Sequence, residues 1–247
     1  MARREVLTLL DTGAFAARAA LAATNSPFDL TGIDHVTLSV SDVDKSVMFY
    51  SRIYGATVMK DQKGPKSYVK MGPHYLAISR VGKRKGGPGA YQIGLGVRNF
   101  QLSEVKHSLD QIDIPHHEVK GGGVLVADPD GNLVELWAEN SWNELGKSAS
   151  LISSPARGEP LLRPTTINHL LLAVSDTAKS TAFYERLLGS PRITAARPRD
   201  NFSQRIGFRV GKYQFSLAPL NQGIHKSGQL PGVDHFGINK LLLIMGG

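Results

Sequence analysis

The chain has 247 residues, of which 41% are hydrophobic and 20% are charged, and its formal net charge is +8. This length and composition predict a globular protein of two domains. The absence of cysteine excludes disulfide bonds, thiolate metal ligands and cysteine nucleophiles. Many basic residues lie in loops such as 82–87, without the interleaved aromatic residues of a nucleic-acid reader, so we expect solvated loop charges and no nucleic-acid partner.

Residues 1–28 have the pattern of a leader segment. Arg3-Arg4 precedes an apolar stretch, and Ala20-Leu21-Ala22, with small residues at its first and third positions, follows it. This order is typical of a twin-arginine export signal, which would place the protein in the periplasm. Asp11 and Arg18 interrupt the apolar stretch and favour the alternative, an amphipathic leader helix on a cytoplasmic protein. No other apolar run approaches the roughly 20 residues that a membrane span needs, so we expect none.

An internal repeat is the most informative pattern. Residues 33–55 match residues 167–189 with 12 of 23 positions identical, and a second, shorter match relates 88–95 to 231–238. The polar side chains at matched strand positions are His35 with His169, and Gln92 with His235. Repeated units that place a metal-capable side chain at one strand position suggest paired modules around a shared site.

Each unit is predicted to be a strand and a helix followed by three strands. Val36, Leu38 and Val40 alternate with polar residues, which is typical of a strand with one apolar face. Asp42 is a predicted helix N-cap, and Gly55 is a predicted C-terminal helix stop. The further predicted strands of the first module are 57–60, 66–71 and 75–81. Because the pattern sets the phase, His35 is expected to face away from the aliphatic core.

Three further modules follow the same order. The second has a strand from Tyr91 to Val97, a helix over 102–112, and strands near 118, 124–127 and 133–138. The third has a helix over 177–188 and strands near 192, 205–210 and 213–218. The fourth begins at Val233 with a strand and the start of a helix at 241–245, and then the sequence stops. The predicted domains are 31–140, a linker over 141–164, and 165–247 with an incomplete last module.

Two aromatic pairs occupy matched helix positions in the repeat, Phe49-Tyr50 and Phe183-Tyr184. At helical spacing these side chains face the sheets, so both pairs are expected to lie in the core. Trp137 shares the strand phase of Glu135, so it is expected either to line the cavity or to fill space.

These motifs resemble the vicinal oxygen chelate superfamily, which includes glyoxalase I, extradiol dioxygenases, fosfomycin-resistance enzymes and bleomycin-resistance proteins. The signature is His35 with Val40-Ser41-Asp42 and Gly55, followed by Asp128-Pro129-Asp130-Gly131-Asn132 and Glu135. The resemblance covers residues 31–238. It implies an α+β fold in which tandem βαβββ modules pair into curved mixed sheets around a cavity, with the second domain truncated.

The resemblance also implies a metal site in the first domain. Carried over position by position, it places His35, Gln92 and Glu135 as ligands, whereas Ala77 stands where a carboxylate is often found. Strand phase independently points Gln92 and Glu135 to the side of His35. A nitrogen and oxygen donor set suits Fe²⁺, Mn²⁺, Ni²⁺ or Zn²⁺ rather than Cu⁺.

The second domain offers fewer ligands. His169 and His235 resemble the two histidines of extradiol dioxygenases, but their partner glutamate would lie past Gly247. Ser216, at the position equivalent to Ala77, does not replace a carboxylate. We therefore expect these histidines to be vestigial, or to be completed in trans by a homodimer partner.

Two functions of different class follow from these expectations. The first is a metalloenzyme, glyoxalase-like or dioxygenase-like, whose small-molecule substrate chelates the metal through two neighbouring oxygens. In this reading Glu135 is a ligand or leaves the metal to act as a catalytic base. The alternative is a metal-free binding protein of the bleomycin-resistance type, in which His35 is only a polar wall residue.

Overall fold

The computed structural model describes residues 25–62, 64–82, 88–145, 149–153, 160–190, 205–220 and 230–241. Residues 1–24 of the predicted leader, the strand expected near Arg192 and the residues after Leu241 lie outside this part of the chain. Among the described helices, none is long and apolar enough to cross a membrane.

Within the described residues, strands form one nine-stranded and one four-stranded sheet, and four helices connect them. The strands are β1 Leu30–Val40, β2 Val58–Asp61, β3 Ser67–Met71, β4 His74–Arg80, β5 Gly89–Val97, β6 His116–Val119, β7 Gly123–Ala127, β8 Leu133–Ala138, β9 Ala149–Ser153, β10 Arg163–Val174, β11 Ile206–Val210, β12 Tyr213–Pro219 and β13 Gly232–Leu241. The helices are α1 Val43–Tyr54, α2 Leu102–Gln111, α3 Trp142–Leu145 and α4 Thr177–Leu188. This mixed α+β architecture confirms the predicted fold class.

The strand order shows the modules directly. The large sheet runs β6-β7-β8-β5-β1-β4-β3-β2-β9, so each module keeps its own four strands together. Within a module the first and last strands are parallel, β1 with β4 and β5 with β8. The antiparallel pair β1 and β5 joins the two modules. In the small sheet β10 repeats the pairing of β1, with β12 parallel on one side and β13 antiparallel on the other.

The repeated helices begin as the sequence predicts. Asp42 caps α1 by accepting a hydrogen bond from the backbone N–H of Lys45 at 3.0 Å, and Asp176 accepts the matching bond from Lys179 at 3.0 Å before α4. Gly55 ends α1 with φ of 55°, a left-handed conformation that glycine adopts without steric cost.

One hydrophobic core extends through both predicted domains. Its buried members include Val36 and Leu136 of the large sheet together with Leu170 and Tyr184 of the second domain. The Tyr184 hydroxyl donates to the Asp128 carboxylate at 3.0 Å, so the turn between β7 and β8 is bonded directly to α4. The two predicted domains therefore share one hydrophobic core.

The predicted linker over 141–164 contains regular structure. Within it, α3 follows β8 directly, and β9 pairs antiparallel with β2 to extend the large sheet. The serine-rich composition of the segment indicated a linker, but the backbone N–H and C=O groups of an unpaired β2 edge can bond to any extended strand. Sheet pairing at this edge therefore does not need a hydrophobic sequence.

The matched aromatic pairs differ in burial. Phe183 is 6% exposed and Tyr184 is fully buried, which confirms the core prediction for the second copy. Phe49 is 56% exposed, so the prediction for this residue is wrong, and Tyr50 is only half-buried. The two helices occupy equivalent positions in the repeat, so the difference in burial comes from what packs against each helix. Tyr184 of α4 contacts the turn of the second module, whereas no side chain of α1 is buried.

Candidate metal centre

The three side chains expected as ligands meet on one face of the large sheet. The Gln92 amide nitrogen donates to Glu135 Oε2 at 2.6 Å, and His35 Nε2 lies 3.2 Å from the same oxygen. All three are buried, with exposed fractions between 4% and 7%. The strand order brings these three side chains together, because β5, which carries Gln92, lies between β1 with His35 and β8 with Glu135.

Gly94 allows the contact between His35 and Glu135. This glycine lies opposite both residues in the strand register. A Cβ at Gly94 would lie 2.2 Å from the His35 ring, so only glycine leaves room for the imidazole to lie across β5. Gly237 has the same relation to His169, where a Cβ would lie 2.0 Å from the ring. A glycine occurs at both matched positions of the sequence repeat, but the sequence analysis did not identify the role of these glycines in making room for the histidine rings.

A β-bulge orients His35. The register between β1 and β5 shifts between Ile33 and His35, which makes Asp34 the extra residue and brings its side chain beside the histidine. Asp34 Oδ2 lies 3.0 Å from His35 Nδ1, and Ser141 donates to the same carboxylate through its hydroxyl at 2.5 Å. With Nδ1 held by a carboxylate, Nε2 is left facing Glu135, the arrangement usual for metal-binding histidines.

The same arrangement recurs at the other two histidines of the repeat. The register of β10 shifts at Asn168, and Asn168 Oδ1 lies 2.5 Å from His169 Nδ1. Asp234 is the extra residue of β13, and its carboxylate lies 2.6 Å from His235 Nδ1. The residue before each histidine thus fixes which ring nitrogen is free.

The charges around His35 change its protonation. Burial disfavours the imidazolium, but the hydrogen bonds to Asp34 and Glu135 and the negative charges of both carboxylates outweigh burial and raise the pKa of His35 to about 9. In the metal-free protein His35 is therefore protonated at neutral pH. A metal ion would have to displace that proton.

Apolar side chains cover the first module beside this site. Tyr75 stacks on the His35 ring with centroids 4.7 Å apart, and burial raises the pKa of Tyr75 well above its usual value. The surrounding cluster consists of Met59, Tyr68, Tyr75, Ala77 and Ala149, with Trp142 and Leu145 packed against it. Ala77 thus lies in an apolar wall and supplies no fourth ligand. The segment carrying Ser141 and Trp142, which sequence reasoning left out of the site, forms part of it.

The imidazole nitrogen, carboxylate oxygen and amide oxygen of these three side chains are donor types that divalent cations accept. No group of three His, Cys, Asp or Glu side chains stands ready for a metal in the part of the chain that is described. The first-domain set instead combines one imidazole and one carboxylate with an amide, each within hydrogen-bond distance of a neighbour. If these three donors held a cation, they would leave coordination positions open for a substrate.

The second sheet brings His169 and His235 together with ring centroids 5.3 Å apart. Burial, and then the charges of His235 and Arg205, lower the pKa of His169. A cavity of about 320 Å³ opens beside His169 and is lined among others by Asn168, Arg209, Lys212 and Gln214. Ser216, as expected, provides no carboxylate, so the two histidines are paired without an acidic ligand among the cavity residues.

Comparison with known proteins supports the fold. The sequence profile of the Glyoxalase/Bleomycin resistance protein/Dioxygenase superfamily matches residues 32–136 and 166–239. Lactoylglutathione lyase GLX1 from Arabidopsis thaliana is 24% identical over 190 residues, which are 70% of this chain and 59% of that protein. The chain therefore spans less than two thirds of the length of this relative.

Solved structures share the architecture at low sequence identity. A catechol 2,3-dioxygenase is 18% identical, with a TM-score of 0.61 over 87% of this chain and 73% of that chain. The Mn(II)-bound glyoxalase from Novosphingobium aromaticivorans is 19% identical, with a TM-score of 0.55 over 85% of this chain and 65% of that chain. With the profile match over both repeated regions, the chain belongs to the Glyoxalase/Bleomycin resistance protein/Dioxygenase superfamily.

Proposed function

We propose that the protein is a metalloenzyme in which His35, Gln92 and Glu135 hold a divalent metal ion, and that its small-molecule substrate binds this ion through two neighbouring oxygens. The observation that carries the proposal is the convergence of these three donors, from three different strands, at one buried point. Fe²⁺, Mn²⁺, Ni²⁺ and Zn²⁺ all accept such donors.

Each residue of the proposed site would have a separate role. A bound divalent ion would supply Lewis-acid stabilisation of negative charge on a substrate oxygen. His35 presents Nε2 to the site because Asp34 engages Nδ1. Glu135 either stays a ligand or accepts a proton at Oε2, and the apolar cluster around Tyr75 excludes water from the reaction. The reaction type, glyoxalase-like or dioxygenase-like, is to be decided by substrate.

The proposal is tested by metal binding to the purified protein. Titration calorimetry with Fe²⁺, Mn²⁺, Ni²⁺ and Zn²⁺ in turn should give about one site in the wild type for at least one of these metals, and His35→Ala and Glu135→Ala should each abolish it. His169→Ala, the matched histidine of the second copy, is the control and should keep the site. Screening of catechols and hemithioacetals then separates the two reaction types. A wild type that binds none of the four metals would rule out the metalloenzyme.

A second candidate function is metal-free binding of a small molecule. Two observations favour it: the three donors already satisfy one another, and the cavity of about 320 Å³ lies on the second sheet rather than at His35. In this case a ligand found by thermal-shift screening in EDTA should bind equally well to His35→Ala. Loss of binding in Arg209→Gln, with no loss in Arg98→Gln, would place that ligand in the second-sheet cavity.

A further inference from the structure

Thr37 carries a buried hydroxyl that its surroundings do not satisfy. The residue is fully buried, and its Oγ1 has no hydrogen-bond partner among the described residues. Water would normally satisfy a hydroxyl, so burying one without a partner costs free energy. Such atoms are rare in folded proteins, and each calls for an explanation. One explanation is that an oxygen atom of a bound molecule supplies the missing hydrogen bond.

The position of Thr37 lies among the candidate ligands. Its neighbours along β1, Val36 and Leu38, belong to the shared hydrophobic core, so the Thr37 side chain lies on the opposite face, the face of His35. Across the sheet it pairs with Ala77 on β4 and with Gln92 on β5. Directly paired residues on one face have their Cβ atoms roughly 5 Å apart.

The side chain of Ala77, the β4 partner of Thr37, offers no hydrogen-bond acceptor to the hydroxyl. Alanine carries one methyl group where the resemblance to the family places a carboxylate, so no side-chain oxygen reaches Thr37 from that strand. The second copy of the repeat differs at this point, since the buried Leu171 occupies the position of Thr37 and carries no hydroxyl. The unpaired hydroxyl is thus specific to the first domain.

We propose that Thr37 is a ligand-binding residue, whose hydroxyl bonds to an oxygen atom held between Ala77 and Gln92. The inference rests on the proposed metal site and adds a residue to it. Two sources supply the same chemistry: a water bound to the metal, or one oxygen of the substrate. Both can accept or donate a hydrogen bond, as a threonine hydroxyl requires.

The test compares Thr37→Val, which keeps the shape and removes the hydroxyl, with Thr37→Ser, which keeps the hydroxyl. In EDTA, Thr37→Val should raise the melting temperature by about 2–4 °C, because it removes an unpaired buried polar group. Calorimetry with Mn²⁺ alone, and then with catechol on the Mn²⁺-loaded protein, should show about tenfold weaker binding of one probe. Thr37→Ser should restore wild-type affinity.

Ser180 provides the matched control, because its Oγ is also buried without a partner among the described residues but lies on α4. Ser180→Ala should leave both affinities unchanged. Weaker Mn²⁺ binding by Thr37→Val identifies a metal-bound water, and weaker catechol binding alone identifies a substrate oxygen. Unchanged affinities, or a lower melting temperature of Thr37→Val in EDTA, overturn the inference while leaving the metal site intact. Wild-type protein that binds neither probe overturns both.

Discussion

At the scale of single residues, the side chain before each of the three histidines contacts its imidazole ring. Asp34, Asn168 and Asp234 each stand as the extra residue of a β-bulge, with an oxygen close to Nδ1 of the next side chain. A regular strand would point consecutive side chains to opposite faces. The bulge removes that constraint, so one residue can orient its own neighbour.

Asp34 should therefore influence metal affinity without being a ligand. We expect Asp34→Ala to weaken Mn²⁺ binding by roughly 10–100-fold, the usual effect of losing such a partner. Asp34→Asn should fall between this variant and the wild type, because an amide oxygen still accepts from Nδ1, as Asn168 shows. Calorimetry with Asn168→Ala as control measures the effect. Equal affinities in all four proteins would show that Asp34 does not position His35.

The raised pKa of His35 predicts a pH dependence of stability in the metal-free protein. The folded-state pKa is about 9 and the ordinary value is 6.5, so the folded state holds the proton more tightly. The resulting stabilisation is complete below about pH 6.5 and is lost as the pH rises through 9. We expect a loss on the order of 1–3 kcal/mol.

Urea denaturation in EDTA across this range measures the loss. His35→Gln retains all other titrating groups, so the difference between the two curves isolates the histidine. Parallel curves for wild type and His35→Gln would contradict the prediction, whereas a flatter curve for the variant would support it.

At the scale of elements, equal sequence does not give equal packing. Helices α1 and α4 share their capping aspartate, their terminal glycine and the Phe-Tyr pair. Yet five side chains of α4 are buried, whereas no side chain of α1 is. The Asp128–Asn132 turn explains part of this difference, because Asp128 bonds to Tyr184 and Asp130 bonds to the backbone N–H of Ser175 at 2.9 Å.

The matched phenylalanines test this difference. Phe183→Ala should lower the free energy of unfolding by about 3–5 kcal/mol, since it leaves a cavity in the core. Phe49→Ala should change the free energy by less than about 0.5–1 kcal/mol, because the side chain is 56% exposed. Urea denaturation of both variants checks the pair. A large loss for Phe49→Ala would mean that another surface covers α1 in solution.

At the scale of the whole molecule, one core spans both domains, so we expect one unfolding transition. The fluorescence of the two tryptophans, Trp137 and Trp142, reports the unfolding of the first domain. Hydrogen exchange of the backbone amides in α4 reports the opening of the second domain. Coincident midpoints in urea would support one cooperative unit. Exchange of α4 at a lower urea concentration than the fluorescence change would instead show that the second domain opens independently.

The sequence by itself determined the modules, and its resemblance to the family named the candidate donors. Alternation in β1, the capping residues of α1 and the repeat are local patterns, and they predicted α1, α2, α4 and most strands within a few residues, but not α3 or β9. His35, Gln92 and Glu135 were placed on one face by strand phase alone, because side-chain direction in a strand follows from its period of two. The family followed from the same motifs.

Only the tertiary structure decided what surrounds those donors. The bulge at Asp34, the passage over Gly94, the cover formed by α3 and β9, and the unpaired hydroxyl of Thr37 all depend on contacts between distant parts of the chain. The burial of Phe183 and exposure of Phe49 differ for the same reason. Local sequence sets the direction of a side chain, whereas its burial and hydrogen-bond partners depend on which other elements pack against it.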